Sequence, residues 1–142
     1  MKSNNTLALH MLFNGLPRFD WTMIDQIPYR NGIYVMFEKG ESYHSMDRIV
    51  RIGTHRVQDR LLKRLKYHFV SENANSSILR KNIGRAFLNM DLNPCLHVRE
   101  TDMPDSENKR NDGHSVNKKL DTELKARISE YLRKNMTFIC IP

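Results

Sequence analysis

The stretch from Asn31 to Ile52 constrains the fold of this 142-residue chain more than any other. Asn31-Gly32 is a turn signal and opens onto an unbroken apolar run, Ile33–Phe37, which predicts a strand. Lys39-Gly40-Glu41-Ser42 predicts a turn or short loop, and Arg48–Ile52 predicts a second strand. Two such runs in succession predict an antiparallel hairpin.

Helical patterns surround it. Asp20 is placed to cap a short helix in which Trp21, Ile24 and Ile27 recur at helical spacing, stopped by Pro28. From Val57 to Val70 a longer helix is predicted. At roughly 100° per residue, Val57, Leu61, Leu62, Leu65 and Phe69 share a face of about 140°. Ser76 or Ser77 can cap a second helix carrying Ile78, Leu79, Ile83 and Phe87, with Gly84 inside it implying close packing or a bend. Leu92 to Val98 reads as a short extended piece. Asp121 can cap a third helix with Leu124, Ile128, Tyr131 and Leu132 on one face. Met136–Ile141 is strand-like and stops at Pro142, which suggests a longer protein cut at this point.

Two segments stand outside this pattern. Residues 1–19 form an N-terminal arm, expected to be loose because residues 1–15 have no clear periodicity. Residues 101–119, TDMPDSENKRNDGHSVNKK, are a polar insert expected to be mobile. That leaves 20–142 as one domain.

Hydrophobic residues make up 39% and charged residues 27%, as in a globular protein, and no apolar run approaches the roughly 20 residues of a membrane span. The opening residues do not resemble a signal peptide, so an intracellular, cytoplasmic location is expected and no membrane partner. Cys95 and Cys140 are too distant for a metal knuckle and too few for a disulfide framework, and are expected as reduced thiols in or near the core. His97 and His114 have no partner at zinc-ligand spacing, and with His10 and His44 they are expected to be incidental. The net charge of +7, with pI near 9.6, favours polyanionic partners, because neutralising phosphates releases counterions.

Gly32-Ile33-Tyr34 opens the first strand, Arg51-Ile52-Gly53 closes the second, and the helix after it carries Lys63-Arg64-Leu65-Lys66-Tyr67-His68-Phe69. In this ordered set the chain resembles the GIY-YIG endonuclease superfamily. The strings RIGTH, SSILRKNIGRAF and ELKARISEYL are similar to one branch of it, over roughly residues 20–141 apart from the polar insert. The resemblance implies an α+β fold: a small antiparallel sheet of about three strands flanked by helices, with Glu123 folded back toward Tyr34. It also implies metal-dependent hydrolysis of phosphodiester bonds in nucleic acid, with DNA the favoured substrate and Mg²⁺ or Mn²⁺ as cofactor.

Site residues follow from the same resemblance. Tyr34 would face the scissile phosphate and orient or deprotonate the attacking water. Arg64 and His68, four apart, share one helical edge, where a guanidinium can reach a phosphate. Glu123 would bind the metal, with Glu130 its rival, and Asn135 stands at about the interval of a supporting Asn. Arg51 replaces the second tyrosine of the motif. His55 is therefore a candidate base, since imidazole titrates near neutrality. Arg51, Arg56, Lys63, Lys66 and Asn135 are expected to contact nucleic acid. Two other readings compete: a degenerate member that binds nucleic acid without cutting it, and a small basic interaction module that matches GIY by chance. The last predicts that Tyr34, Arg64, His68 and Glu123 do not converge.

Overall fold

A computed structural model describes residues 4–72, 77–92 and 118–142. In chain order they form α1 (Asn4–Asn14), a 3-10 helix (Trp21–Gln26), β1 (Ile33–Tyr43), β2 (Met46–Thr54), α2 (Leu61–Phe69), α3 (Ile78–Met90), α4 (Lys118–Asn135) and β3 (Met136–Ile141). The three strands make one antiparallel sheet in the order β2-β1-β3. The architecture is α+β, the class expected from sequence.

Why the run Ile33–Phe37 is unbroken follows from this order. β1 is the central strand, and both of its faces are covered, so neither can be polar. Tyr34 pairs with Gly53 and Cys140, and Met36 pairs with Arg51 and Phe138. Directly paired residues share a face. On that face Tyr34, Met36, Phe138 and Cys140 pack with Leu61, Leu65 and Phe69 of α2, Phe87 and Leu88 of α3, and Leu124, Ile128 and Leu132 of α4. On the opposite face Val35, Phe37 and Ile139 pack with Phe13 of α1. Tyr131 of α4 donates its hydroxyl to Glu38 of β1.

Several expectations change. The segment Asn4–Asn14, expected as part of a loose arm, is a seated helix. His10, expected to be incidental, is buried: its Nδ1 donates to Thr6 O (2.9 Å), and its Nε2 accepts from the Ile49 N–H (3.2 Å). Asn14 brackets the Asp47 backbone from its side-chain O and N (both 3.0 Å). Leu7, Leu9, Met11 and Leu12 of the same helix are exposed. Polar anchors and the single buried Phe13, not an apolar stripe, seat α1, so periodicity could not reveal it. The hairpin turn is His44-Ser45, both at positive φ, and β1 runs through the predicted Lys39–Ser42 turn with irregular pairing there.

The predicted helix from Val57 begins only at Leu61, and Val57 is exposed. The Asn31 side chain donates to Asp59 Oδ1 and accepts from its backbone N–H (both 2.7 Å), holding Asp59 at positive φ just before the helix. In α3, Ile78 is exposed, whereas Arg80, Gly84, Phe87 and Leu88 are buried. Asp121 lies inside α4, paired with Lys125 (2.6 Å), because the helix starts earlier, at Lys118. Ser76, Cys95, His97, His114, the extended piece at 93–98 and the insert from 101 to 117 lie outside the described residues. Among the described residues, no helix is long and apolar enough to cross a membrane.

Candidate active site

The two tripeptides that drew attention in the sequence meet side by side in the sheet. Gly32 sits at φ +139°, and a Cβ there would come within 2.1 Å of Ile141 O, so only glycine permits β3 to close on the start of β1. The residues after Arg51-Ile52-Gly53 then grip the same glycine. Thr54 Oγ1 donates to Gly32 O (2.8 Å), and Gly32 N–H donates to His55 Nε2 (3.1 Å). His55 Nδ1 lies 2.7 Å from Val57 O. A carbonyl only accepts, so Nδ1 carries the proton and both ring nitrogens are occupied. His55 therefore has no free lone pair for a water proton, and its position is that of a clamp on β1.

Gly53 makes room for Tyr34. A Cβ at Gly53 would lie 2.3 Å from the Tyr34 hydroxyl oxygen and 2.4 Å from Cζ, so the phenol crosses the bare backbone of β2. From there it reaches α2: Tyr34 Oη lies 2.7 Å from His68 Nε2, with the rings edge to face. His68 Nδ1 in turn lies 2.8 Å from Ser77 Oγ, at the start of α3. Tyr34, His68 and Ser77 all have 0% exposure. They form one hydrogen-bonded chain joining β1, α2 and α3.

Ser77 has a second task, since its Oγ accepts the Arg80 N–H (3.2 Å) and caps α3. Arg80, itself buried, donates to His68 O (2.9 Å), Lys125 O (3.1 Å) and Ser129 Oγ (2.7 Å), tying the ends of α2 and α3 to α4. Burial lowers the Arg80 pKa, yet its three partners satisfy the charge with oxygens.

Positive charge surrounds the chain. The His68 pKa is pushed down to about 3, chiefly by burial and then by the charges of Arg64, Arg51 and Arg80. A neutral imidazole results, able to pass hydrogen bonds but not to attract phosphate by charge. The charge lies instead on Arg64 and Arg51, which are both half-buried. Arg51 Nε is buried and makes no hydrogen bond, so the guanidinium that replaces the motif's tyrosine keeps a donor unspent on protein.

The structure thus gathers Tyr34 and His68 in contact, with Arg51 and Arg64 in electrostatic reach. Other expected residues stand apart. Glu123 is exposed on α4, 4.0 Å from Lys119, and among the described residues no hydrogen bond or ion pair joins it to Tyr34 or His68. Glu130 is exposed as well. Asn135 turns back on its own helix, donating to Tyr131 O (2.9 Å). Lys66 pairs with Asp25 (2.6 Å) of the 3-10 helix. Arg56 is exposed, and the exposed Lys63 lies over the Tyr67 ring at 5.7 Å.

Sequence reasoning saw Ser77 only as a possible cap and did not single out Arg80. The available signal was the pair itself, a cap serine followed three residues later by an arginine on a helix's apolar side.

A family profile described as GIY-YIG domain matches residues 16–142, nearly the whole chain. The chain belongs to the GIY-YIG family. Its usual members are nucleases acting on nucleic acid, and the described fold agrees with theirs. No curated protein and no solved structure matches the chain with significance. Within the family frame, Gly32 and Gly53 are the glycines of the two signature tripeptides, and their close contacts here give each a steric reason. The third sequence reading, a chance match to GIY, is set aside by the extent of this match.

Proposed function

We propose that this GIY-YIG domain is a metal-dependent endonuclease hydrolysing phosphodiester bonds in nucleic acid, with DNA as the favoured substrate. The observation that carries the reading is the Tyr34–His68 pair at 2.7 Å, set under the positive charge of Arg51 and Arg64. Arg64 and Arg51 draw the scissile phosphate toward the phenol, where a guanidinium fork matches phosphate oxygens. Tyr34 orients the attacking water or takes its proton, and neutral His68 holds the Tyr34 oxygen in place. Exposed Arg56 and Lys63 attract the flanking backbone. Because Tyr34 and His68 have no exposed surface, substrate reaches the phenol only after a covering side chain moves.

A divalent ion fits the donor chemistry within limits. Among the described residues no three His, Cys, Asp or Glu side chains gather as a ligand set, and Glu123 is a lone exposed carboxylate. Magnesium keeps several waters and takes phosphate oxygens beside one or two carboxylates, so Glu123 would be its one protein ligand, and substrate phosphate would have to bring the ion toward Tyr34. When bound, the ion would supply charge to offset the negative charge that builds on the phosphate oxygens.

A second reading is a domain that binds nucleic acid without cutting it. Burial of Tyr34, together with Arg51 in the tyrosine's place, favours it. Glu123→Ala separates the readings. A nuclease loses Mg²⁺- or Mn²⁺-dependent cutting in the variant while binding persists, and cutting retained at wild-type rate would refute the role of Glu123. A pure binder cuts in neither form.

A further inference from the structure

We infer that Ser77 is a positioning residue for Tyr34: its hydroxyl donates to His68 Nδ1, places the imidazole proton on Nε2, and so presents an N–H to the Tyr34 oxygen. The inference rests on the nuclease reading for its consequence, but not for its geometry.

The geometry is a closed chain. Ser77 Oγ lies 2.8 Å from His68 Nδ1, and His68 Nε2 lies 2.7 Å from Tyr34 Oη, with all three residues at 0% exposure. A neutral imidazole donates at one nitrogen and accepts at the other, so the chain has two possible directions. The Ser77 oxygen is already an acceptor for the Arg80 N–H (3.2 Å). Among the described residues, the partner placed to take its own proton is His68 Nδ1.

If Nδ1 instead carried the imidazole proton, the Ser77 hydroxyl proton would be stranded. It would sit behind His68, where Arg80 locks α2, α3 and α4 together through His68 O, Lys125 O and Ser129 Oγ. A buried donor left unmade is costly, and nothing that binds at Tyr34 could relieve it. With Nε2 protonated, the unspent proton is that of Tyr34, at the end of the chain where phosphate and water arrive and supply the acceptor. His68 Nε2–H then stays bonded to the Tyr34 oxygen and leaves the phenol proton free to orient an arriving water or phosphate oxygen. One serine thus sets both the helix cap and the direction of the hydrogen bonds.

The test begins with ¹⁵N NMR of the imidazoles in the intact wild-type chain at neutral pH, with His68 assigned by comparison with His68→Gln. The inference predicts a pyrrole-type Nε2 and a pyridine-type Nδ1 for His68, and the reverse pattern overturns it. Ser77→Ala should shift His68 toward a mixture or the other tautomer, and Ser77→Thr, which keeps the hydroxyl, should restore the wild-type pattern. An unchanged Nε2–H signature in a folded Ser77→Ala variant would overturn it equally. In cleavage assays Ser77→Ala should lower kcat at least tenfold with KM within about twofold, rescued by Ser77→Thr. A wild type that cuts no nucleic acid sinks the proposed function, while the tautomer measurement still decides the role of Ser77.

Discussion

Gly53→Ala should damage the protein out of proportion to one methyl group. The added Cβ would lie 2.3 Å from Tyr34 Oη, 2.4 Å from Cζ and 2.9 Å from Cε2, whereas ordinary carbon contacts fall near 3.5–4.0 Å. The phenol would have to retreat by about an ångström or more. It has nowhere to go, being fully buried and bonded to His68 at 2.7 Å. Overpacking of this kind costs about 1–3 kcal/mol. Breaking the Tyr34–His68 bond inside the core adds about 1–3 kcal/mol for polar atoms left unsatisfied. The sum, about 2–6 kcal/mol, is a large part of the roughly 5–15 kcal/mol that holds a domain together. Urea unfolding followed by circular dichroism should show a lower midpoint with little change in slope. In a Tyr34→Phe background the penalty should shrink, since the hydroxyl is gone, without vanishing, since Cζ remains. A midpoint for Gly53→Ala equivalent to less than about 0.5 kcal/mol of change would refute the claim that Tyr34 packs on this glycine.

Two further predictions concern the histidines. The His68 pKa of about 3 in the folded state lies below the ordinary 6.5, so the unfolded chain binds more protons between these values and stability is lost as pH falls through that window. At about 1.4 kcal/mol per pH unit, wild type should lose about 2 kcal/mol more than His68→Gln between pH 6 and 4.5; parallel stability-versus-pH curves for the two proteins would contradict this. His55→Ala should cost about 1–3 kcal/mol by stranding the Gly32 N–H, while kcat of the folded fraction falls less than tenfold. A loss of 100-fold or more at full folding would return His55 to the role of base.

Much of the fold was legible because its signals were local. The run Ile33–Phe37 announced a strand by its lack of polar interruption, and α4 and β3 by period and length. Helix α1 was not legible, because His10 and Asn14 hold it through polar bonds to β2 that leave no apolar stripe. The delayed start of α2 was hidden for a similar reason: Asn31 fixes Asp59 from 28 residues away. At the candidate site, motif order singles out Tyr34 and His68, and the structure places the two in contact. Their bond was not legible, since it depends on Gly53 leaving space for a ring from the neighbouring strand. A loop histidine such as His55 looks free in sequence, whereas here both nitrogens face backbone groups. Ser77 and Arg80 bond across three helices, and their three-residue spacing marks the pair but not its partners on α2 and α4.

The central claim is that the Tyr34–His68 pair forms the working centre of a nuclease. Its most direct test is cleavage of labelled single- and double-stranded DNA with Mg²⁺ or Mn²⁺, comparing wild type with Tyr34→Phe at equal folded concentration. The account predicts metal-dependent cutting by wild type and a fall of about 100-fold or more in the variant, with DNA affinity unchanged. Equal cutting by both proteins would contradict the account, as would tight binding with no cutting by either.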